Sequence, residues 1–77
     1  MEIQVECRAG HHGEQEPCAF WLGQRRLEAC EIIDRWFAPQ VSWFKVMADD
    51  GDLYIQRHGH ADDRWELAAF TRSRAEP

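Results

Sequence analysis

Apolar and polar residues alternate along most of this chain, and that alternation predicts strands. At the N-terminus Ile3, Val5 and Cys7 alternate with Glu2, Gln4, Glu6 and Arg8, the pattern of a strand with one dry face and one wet face. Residues 9–16 have no apolar periodicity and contain Gly10 and Gly13, so they read as a mobile loop ending at Pro17, where a second strand enters. In Phe20-Trp21-Leu22-Gly23-Gln24-Arg25-Arg26-Leu27, a glycine sits at the first of two tip residues between apolar runs. That arrangement predicts a type II′ hairpin, because glycine takes a positive φ without a Cβ clash. Its register pairs Leu22 with Arg25, Trp21 with Arg26, Phe20 with Leu27 and Cys18 with Ala29. Phe20, Leu27, Cys18 and Ala29 then share a buried face, and Trp21 and Arg26 share the other, where they can stack as a cation–π pair.

The third strand is expected from about Arg25 to Phe37. Its inward positions run Leu27, Ala29, then Ile32 and Trp36, with Ile33 on the other phase. A β-bulge near Cys30 and Glu31 accounts for the slip and would bend a long strand between two parts of a curled sheet. A helix over the same residues competes, since Leu27, Cys30, Ile33 or Asp34, and Phe37 also fall at helical spacing. The strand is preferred because no N-cap residue precedes Arg25 and Gly23 leaves no room for another linker. Ala38-Pro39-Gln40 breaks the segment. A fourth strand follows over Val41 to Ala48 and a fifth from Leu53 to about Arg57, joined by a four-residue loop over residues 49–52. That loop pairs Ala48 with Leu53 and Val46 with Ile55, and puts Phe44, Val46, Ala48, Leu53 and Ile55 on one face; a tight Asp50-Gly51 turn keeps the same alignment. Residues 58–63 form another turn, Trp65, Leu67 and Ala69 alternate in a sixth strand, and the tail over 71–77 is polar and frayed.

The chain therefore predicts one all-β domain over residues 1–77: a small curled antiparallel meander sheet or open barrel of five to six strands. Its expected core is Val5, Phe20, Leu27, Ile32, Trp36, Phe44, Val46, Ile55, Trp65 and Leu67. At 77 residues the core must be dense in large side chains, and four Trp, four Phe and Tyr54 supply them. The net charge of −5, from nine Lys and Arg against fourteen Asp and Glu, disfavours non-specific binding to nucleic acid or an anionic membrane. No apolar run approaches the roughly 20 residues that span a bilayer, and the N-terminus alternates where a signal peptide would be apolar, so a cytoplasmic protein is expected. The register sends Cys18 and Cys30 to opposite faces, which favours reduced thiols.

Candidate chemistry is sparse. Cys7, His11, His12 and Cys18 are possible zinc ligands, but no Cys-x-x-Cys pair exists and both thiols fall on core-facing phases. Asp49, Asp50 and Asp52 start like a calcium loop whose remaining ligands are missing. Cys30 beside Glu31, or Cys18 with a loop histidine, can be drawn as a nucleophilic pair, yet so short a chain has little material to surround it, and no enzymatic activity and no cofactor are expected. Aromatics carry the remaining candidate. Trp21 and Trp43 take the phase opposite to Phe20 and Phe44, and with Arg26, Lys45 and Arg57 they compose an aromatic and basic face. It fits a non-catalytic accessory or interaction module binding a protein partner or its own copy. The alternatives are a single-stranded nucleic-acid binder, a small zinc domain, or a curved sheet that simply buries parts of both faces.

Pro17-x-x-Phe20-x-x-Gly23, Ile32-x-Asp34-x-Trp36, Phe44-x-Val46, Asp50-Gly51-x-x-Tyr54 and Trp65-x-Leu67 together resemble a set of small bacterial all-β domains of unknown function. The resemblance covers about residues 17 to 70. Some domains of that type look to be encoded near translesion DNA polymerase genes, which implies an accessory role in DNA repair. The shared residues are mostly structural, so the resemblance assigns no site residue.

Overall fold

The computed structural model describes residues 1–9 and 15–71. Most of the predicted mobile loop and the frayed tail lie outside the described residues. Six strands follow in chain order: β1 Glu2–Ala9, β2 Gln15–Leu22, β3 Arg25–Phe37, β4 Val41–Ala48, β5 Leu53–Gly59 and β6 Arg64–Thr71. They form an antiparallel meander that closes into a barrel. The closing seam is short: Glu2 pairs with Glu66 and Ile3 with Trp65, and the Leu67 N–H donates to the Met1 carbonyl at 2.7 Å.

The β2–β3 hairpin has the predicted register from Leu22–Arg25 through Trp21–Arg26 to Phe20–Leu27, with Gly23 at φ +62°. The ladder ends at Ala19–Glu28, one step short of the predicted Cys18–Ala29 pair. Cys18 is bulged against β1, where Glu6 pairs with Ala19 and Cys7 with Pro17, and Pro17 has no N–H to extend a ladder.

Residues 25–37 are a strand, not a helix, and the register slips at Cys30, as the change of phase predicts. A second slip at Ile33, which apolar phase alone does not reveal, corrects the place of Trp36. With Ile32 opposite Val46 and Asp34 opposite Lys45, the extra residue turns Arg35 and Phe37 inward and Trp36 outward, 45% exposed and paired with Trp43.

The β4–β5 register is also corrected. Met47 pairs with Leu53, Val46 with Tyr54 and Lys45 with Ile55, one residue from the expected alignment. Only Asp49, Asp50 and Gly51 separate Ala48 from Asp52: the Ala48 N–H donates to the Asp52 carbonyl at 3.0 Å, and the Gly51 N–H to the Ala48 carbonyl at 2.9 Å. Gly51 has φ +86°, which suits the left-handed residue that ends a three-residue hairpin loop. Asp50 fastens this loop by accepting the Asp52 N–H at 3.0 Å and the Tyr54 hydroxyl at 2.5 Å. A slip of one residue exchanges the faces of a strand. Tyr54 and Gln56 therefore point into the barrel, and the expected core residue Ile55 lies on the outer phase.

The core packs Ile3, Phe20, Leu27, Phe44, Val46, Ala48, Tyr54 and Trp65, with Val5, Ile32 and Leu67 half-buried against it. Phe20 meets Tyr54 edge-on at 5.0 Å and Phe44 lies 5.7 Å from Trp65. Such aromatic pairs contribute about 0.5–1.5 kcal/mol each beyond their buried area.

Candidate interaction face and the cleft beside it

Directly opposed residues on paired strands point to the same side of a sheet. On the outside of the barrel the register lines up Trp36, Trp43, Arg57, Glu66 and Glu2 across β3, β4, β5, β6 and β1. The next outward row is Asp34, Lys45, Ile55 and Ala69. Three predicted site residues, Trp43, Lys45 and Arg57, are thus neighbours. Trp43 and Lys45 are half-buried, and Arg57 Nη1 donates to Glu66 Oε1 at 2.8 Å. Trp36, which apolar phase assigns to the core, is the fourth member. Apolar phase holds no signal for this, because the extra residue, Ile33, which is itself exposed, shows only in the pairing of β3 with β4.

Trp21 and Arg26 pair with each other on a different part of the surface. Arg26 and Trp36 sit at opposite ends of β3, separated by roughly 30 Å at about 3.3 Å per residue. The Arg26 guanidinium is occupied by Glu6, with Nε to Oε2 at 3.1 Å and Nη2 to Oε1 at 2.9 Å. Glu28 adds a contact at 3.4 Å. The hydrogen bond and charge of Arg26, with a further hydrogen bond from Trp21, hold the Glu6 carboxyl below its ordinary pKa. The five predicted residues therefore form two groups, one aromatic with free surface and one a closed network of charges.

Beside the Trp43 row, the outer face of β4 and β5 ends in a cleft of about 790 Å³ floored by Val41 and Gly59 and flanked by Arg57 and Arg64. Residues 38–40 and the 60–63 turn wall it, and both walls are fastened by histidines. His60 Nε2 lies 2.7 Å from Ser42 Oγ, its Nδ1 lies 3.3 Å from the Pro39 carbonyl, and its N–H donates to the Gln40 carbonyl at 3.0 Å. With Nδ1–H donating to that carbonyl, Nε2 accepts from the Ser42 hydroxyl. His58 stacks on Trp65 with centroids 4.3 Å apart, and its Nε2 lies 2.6 Å from Asp63 Oδ1. Asp63 takes a positive φ of 51°, which aspartate tolerates better than most residues. The turn folds closely over Gly59, where an added Cβ would lie 2.9 Å from Asp62 Oδ1 and would push that exposed carboxylate aside.

Ser42 is only 4% exposed, so its contact with His60 is a tie between β4 and the turn, with the hydroxyl turned away from any approaching substrate. Cys7 and Cys18 are half-buried free thiols, and burial first, then the neighbouring Cys18 and Asp63, pushes the Cys7 pKa up to about 11. Cys30 is exposed. His11 and His12 lie outside the described residues, and among the described residues no group of three His, Cys, Asp or Glu side chains is arranged to hold a metal ion. Among the same residues no helix is long and apolar enough to cross a membrane. No family model, no curated protein and no solved structure matches this chain.

Proposed function

We propose that this chain is a non-catalytic interaction module that presents the outer face of β3, β4 and β5 to a protein partner. The observation that carries this reading is the cross-strand pair of Trp36 and Trp43, flanked by Lys45 and Arg57. Of the exposed large apolar side chains among the described residues, Ile33 and Trp36 fall within the last five residues of β3, beyond the end of its ladder with β2, and Phe37, on the inward phase, is exposed at the strand's end. Concentrated exposed apolar surface of this kind is a mark of protein contact, and tryptophan and arginine are the side chains that most often dominate it. The net charge of −5 argues against single-stranded nucleic acid as the partner. A cytoplasmic setting agrees with three free thiols. The resemblance to small bacterial domains, some of which look to be encoded near translesion DNA polymerase genes, would make the module a repair accessory.

A photo-crosslinking residue placed at Trp36, with Arg8 as the control position, tests the reading in the intact chain. A discrete protein adduct at position 36 that is lost on Lys45→Glu or Trp43→Ala supports it. Equal labelling at both positions refutes it. So does tryptophan quenching by an oligonucleotide with a steep salt dependence, which would assign the face to nucleic acid.

A further inference from the structure

Antiparallel sheets commonly keep one face for the core and one for water, and on β4 and β5 that division fails. The inward phase is apolar, with Phe44, Val46 and Tyr54. The outward phase is largely apolar too. Trp43 and Met47 on β4 lie directly beside Arg57 and Leu53 on β5, Lys45 lies beside Ile55, and all of these except the exposed Arg57 are half-buried. Trp36 continues the surface across β3. All six strands belong to the barrel wall, so among the described residues no second layer of structure covers this side. The remaining residues, 10–14 and 72–77, contain no apolar side chain larger than proline, so the chain has no segment of its own suited to covering it.

The charges on this face select its occupant. Each basic group in it is already matched by an acid of the same chain: Lys45 lies opposite Asp34, and Arg57 Nη1 donates to Glu66 Oε1 at 2.8 Å. A face so balanced offers little to a strongly charged partner and suits a surface with the same balance, and its own image qualifies. A two-fold axis running between β4 and β5, parallel to both, lays β4 of one copy on β5 of the other and keeps each cross-strand row at its own level. Trp43 then meets Arg57 of the second copy, Lys45 meets its Ile55 and Met47 meets its Leu53, each contact occurring twice by symmetry. At the flanks Trp36 meets Glu66 and Asp34 meets Ala69. No like charges oppose each other in these rows. An axis along β4 itself would stack Lys45 on Lys45, and one along β5 would stack Arg57 on Arg57, so the charges favour the arrangement between the strands.

We infer that the chain forms a symmetric dimer through the outer face of β4 and β5, two barrels packed wall to wall with the Lys45–Ile55 row at the centre. This rests on the protein-interaction reading of the face and names the partner as a second copy of the chain. Sheets stacked in this way lie about 10 Å apart with their strands about 30° out of line. The Arg57 guanidinium keeps its in-plane bond to Glu66 while its flat side covers the indole of the second copy's Trp43. The Lys45 stem lies along Ile55 and carries its ammonium group outward. About a dozen side chains from each copy take part, against roughly 20–30 in a standard interface, which places the dimer in the micromolar range.

The test is sedimentation equilibrium of the full chain from about 1 µM to about 1 mM, with isotope-filtered NOE spectra of an equal mixture of labelled and unlabelled chains at the upper end. The weight-average mass should rise from 9.1 kDa towards twice that value. NOEs should connect the Trp43 ring with Arg57, and the Met47 methyl with the Leu53 methyls, across the two copies. Ile55→Lys sets lysine against lysine across the axis and should weaken the dimer about tenfold or more, whereas Gln4→Lys, the same charge change at an exposed position of β1, should alter it less than about twofold. A monomer throughout the range, a dimer without those NOEs, or a dimer that Ile55→Lys leaves intact overturns the inference. The NOEs come from the wild-type chain and decide the matter should Ile55→Lys fail to fold. A chain that stays monomeric yet crosslinks at Trp36 to a different protein overturns the dimer and leaves the interaction face standing; a monomer with no discrete adduct removes both.

Discussion

Replacing Gln56 by methionine should stabilise the barrel. Gln56 is 0% exposed, between Phe44 on β4 and Leu67 on β6, and among the described residues neither its Oε1 nor its Nε2 has a hydrogen-bond partner. An amide that leaves water without new hydrogen bonds costs about 1–3 kcal/mol as judged from protein substitutions. Methionine has nearly the same length and volume, so Gln56→Met removes that cost and keeps the packing. The expected gain is about 1–3 kcal/mol, which for a domain of this size raises the midpoint of thermal unfolding by roughly 4–8 °C per kcal/mol. Gln56→Ala serves as the companion variant: it removes the same amide but opens a cavity, and should fall below Gln56→Met by about 2 kcal/mol or more. Urea unfolding with the slope held constant across variants measures both. A loss of stability in Gln56→Met would refute the reasoning, because it would mean that the amide is hydrogen-bonded inside the barrel.

Two further outcomes follow from individual groups. Burial raises the Asp50 pKa, but hydrogen bonds from the Tyr54 hydroxyl and the Asp52 N–H, with the charge of Arg25, outweigh it, and the net value lies below the ordinary 3.8. Since its folded pKa is depressed, Asp50 contributes stability above about pH 4 that is lost as pH falls through the folded value, so the gap between wild type and Asp50→Asn should close on acidification below 3.8; a gap independent of pH would contradict this. Cys7, with its pKa raised to about 11 by burial, should be alkylated by iodoacetamide at pH 8 much more slowly than exposed Cys30, and comparable rates by mass spectrometry would show that the Cys7 thiol is not buried.

Local pattern determined a good deal of this protein. Glycine at the first tip position set the β2–β3 register, because only one turn chemistry suits a two-residue loop of that kind, and the slip of apolar phase in β3 located the bulge at Cys30. The six-stranded meander was legible for the same reason: each connection is short, and short connections make neighbours of successive strands. Where both phases of a strand carry plausible residues, periodicity lost its power. Leu53 and Ile55 look more like core than Tyr54 and Gln56, yet two hydrogen bonds to Asp50 shorten the loop and send the latter pair inward. By apolar phase Trp36 and Ile32 share a face; the bulge at Ile33 separates them, and that bulge is visible only once β4 supplies the register. The tertiary structure alone decided the closure of β1 on β6, the separation of Trp21 and Arg26 from Trp43, and the joining of two distant turns into one cleft. Those relations depend on the barrel's curvature, and curvature is a property of all the strands together that no local stretch of sequence encodes.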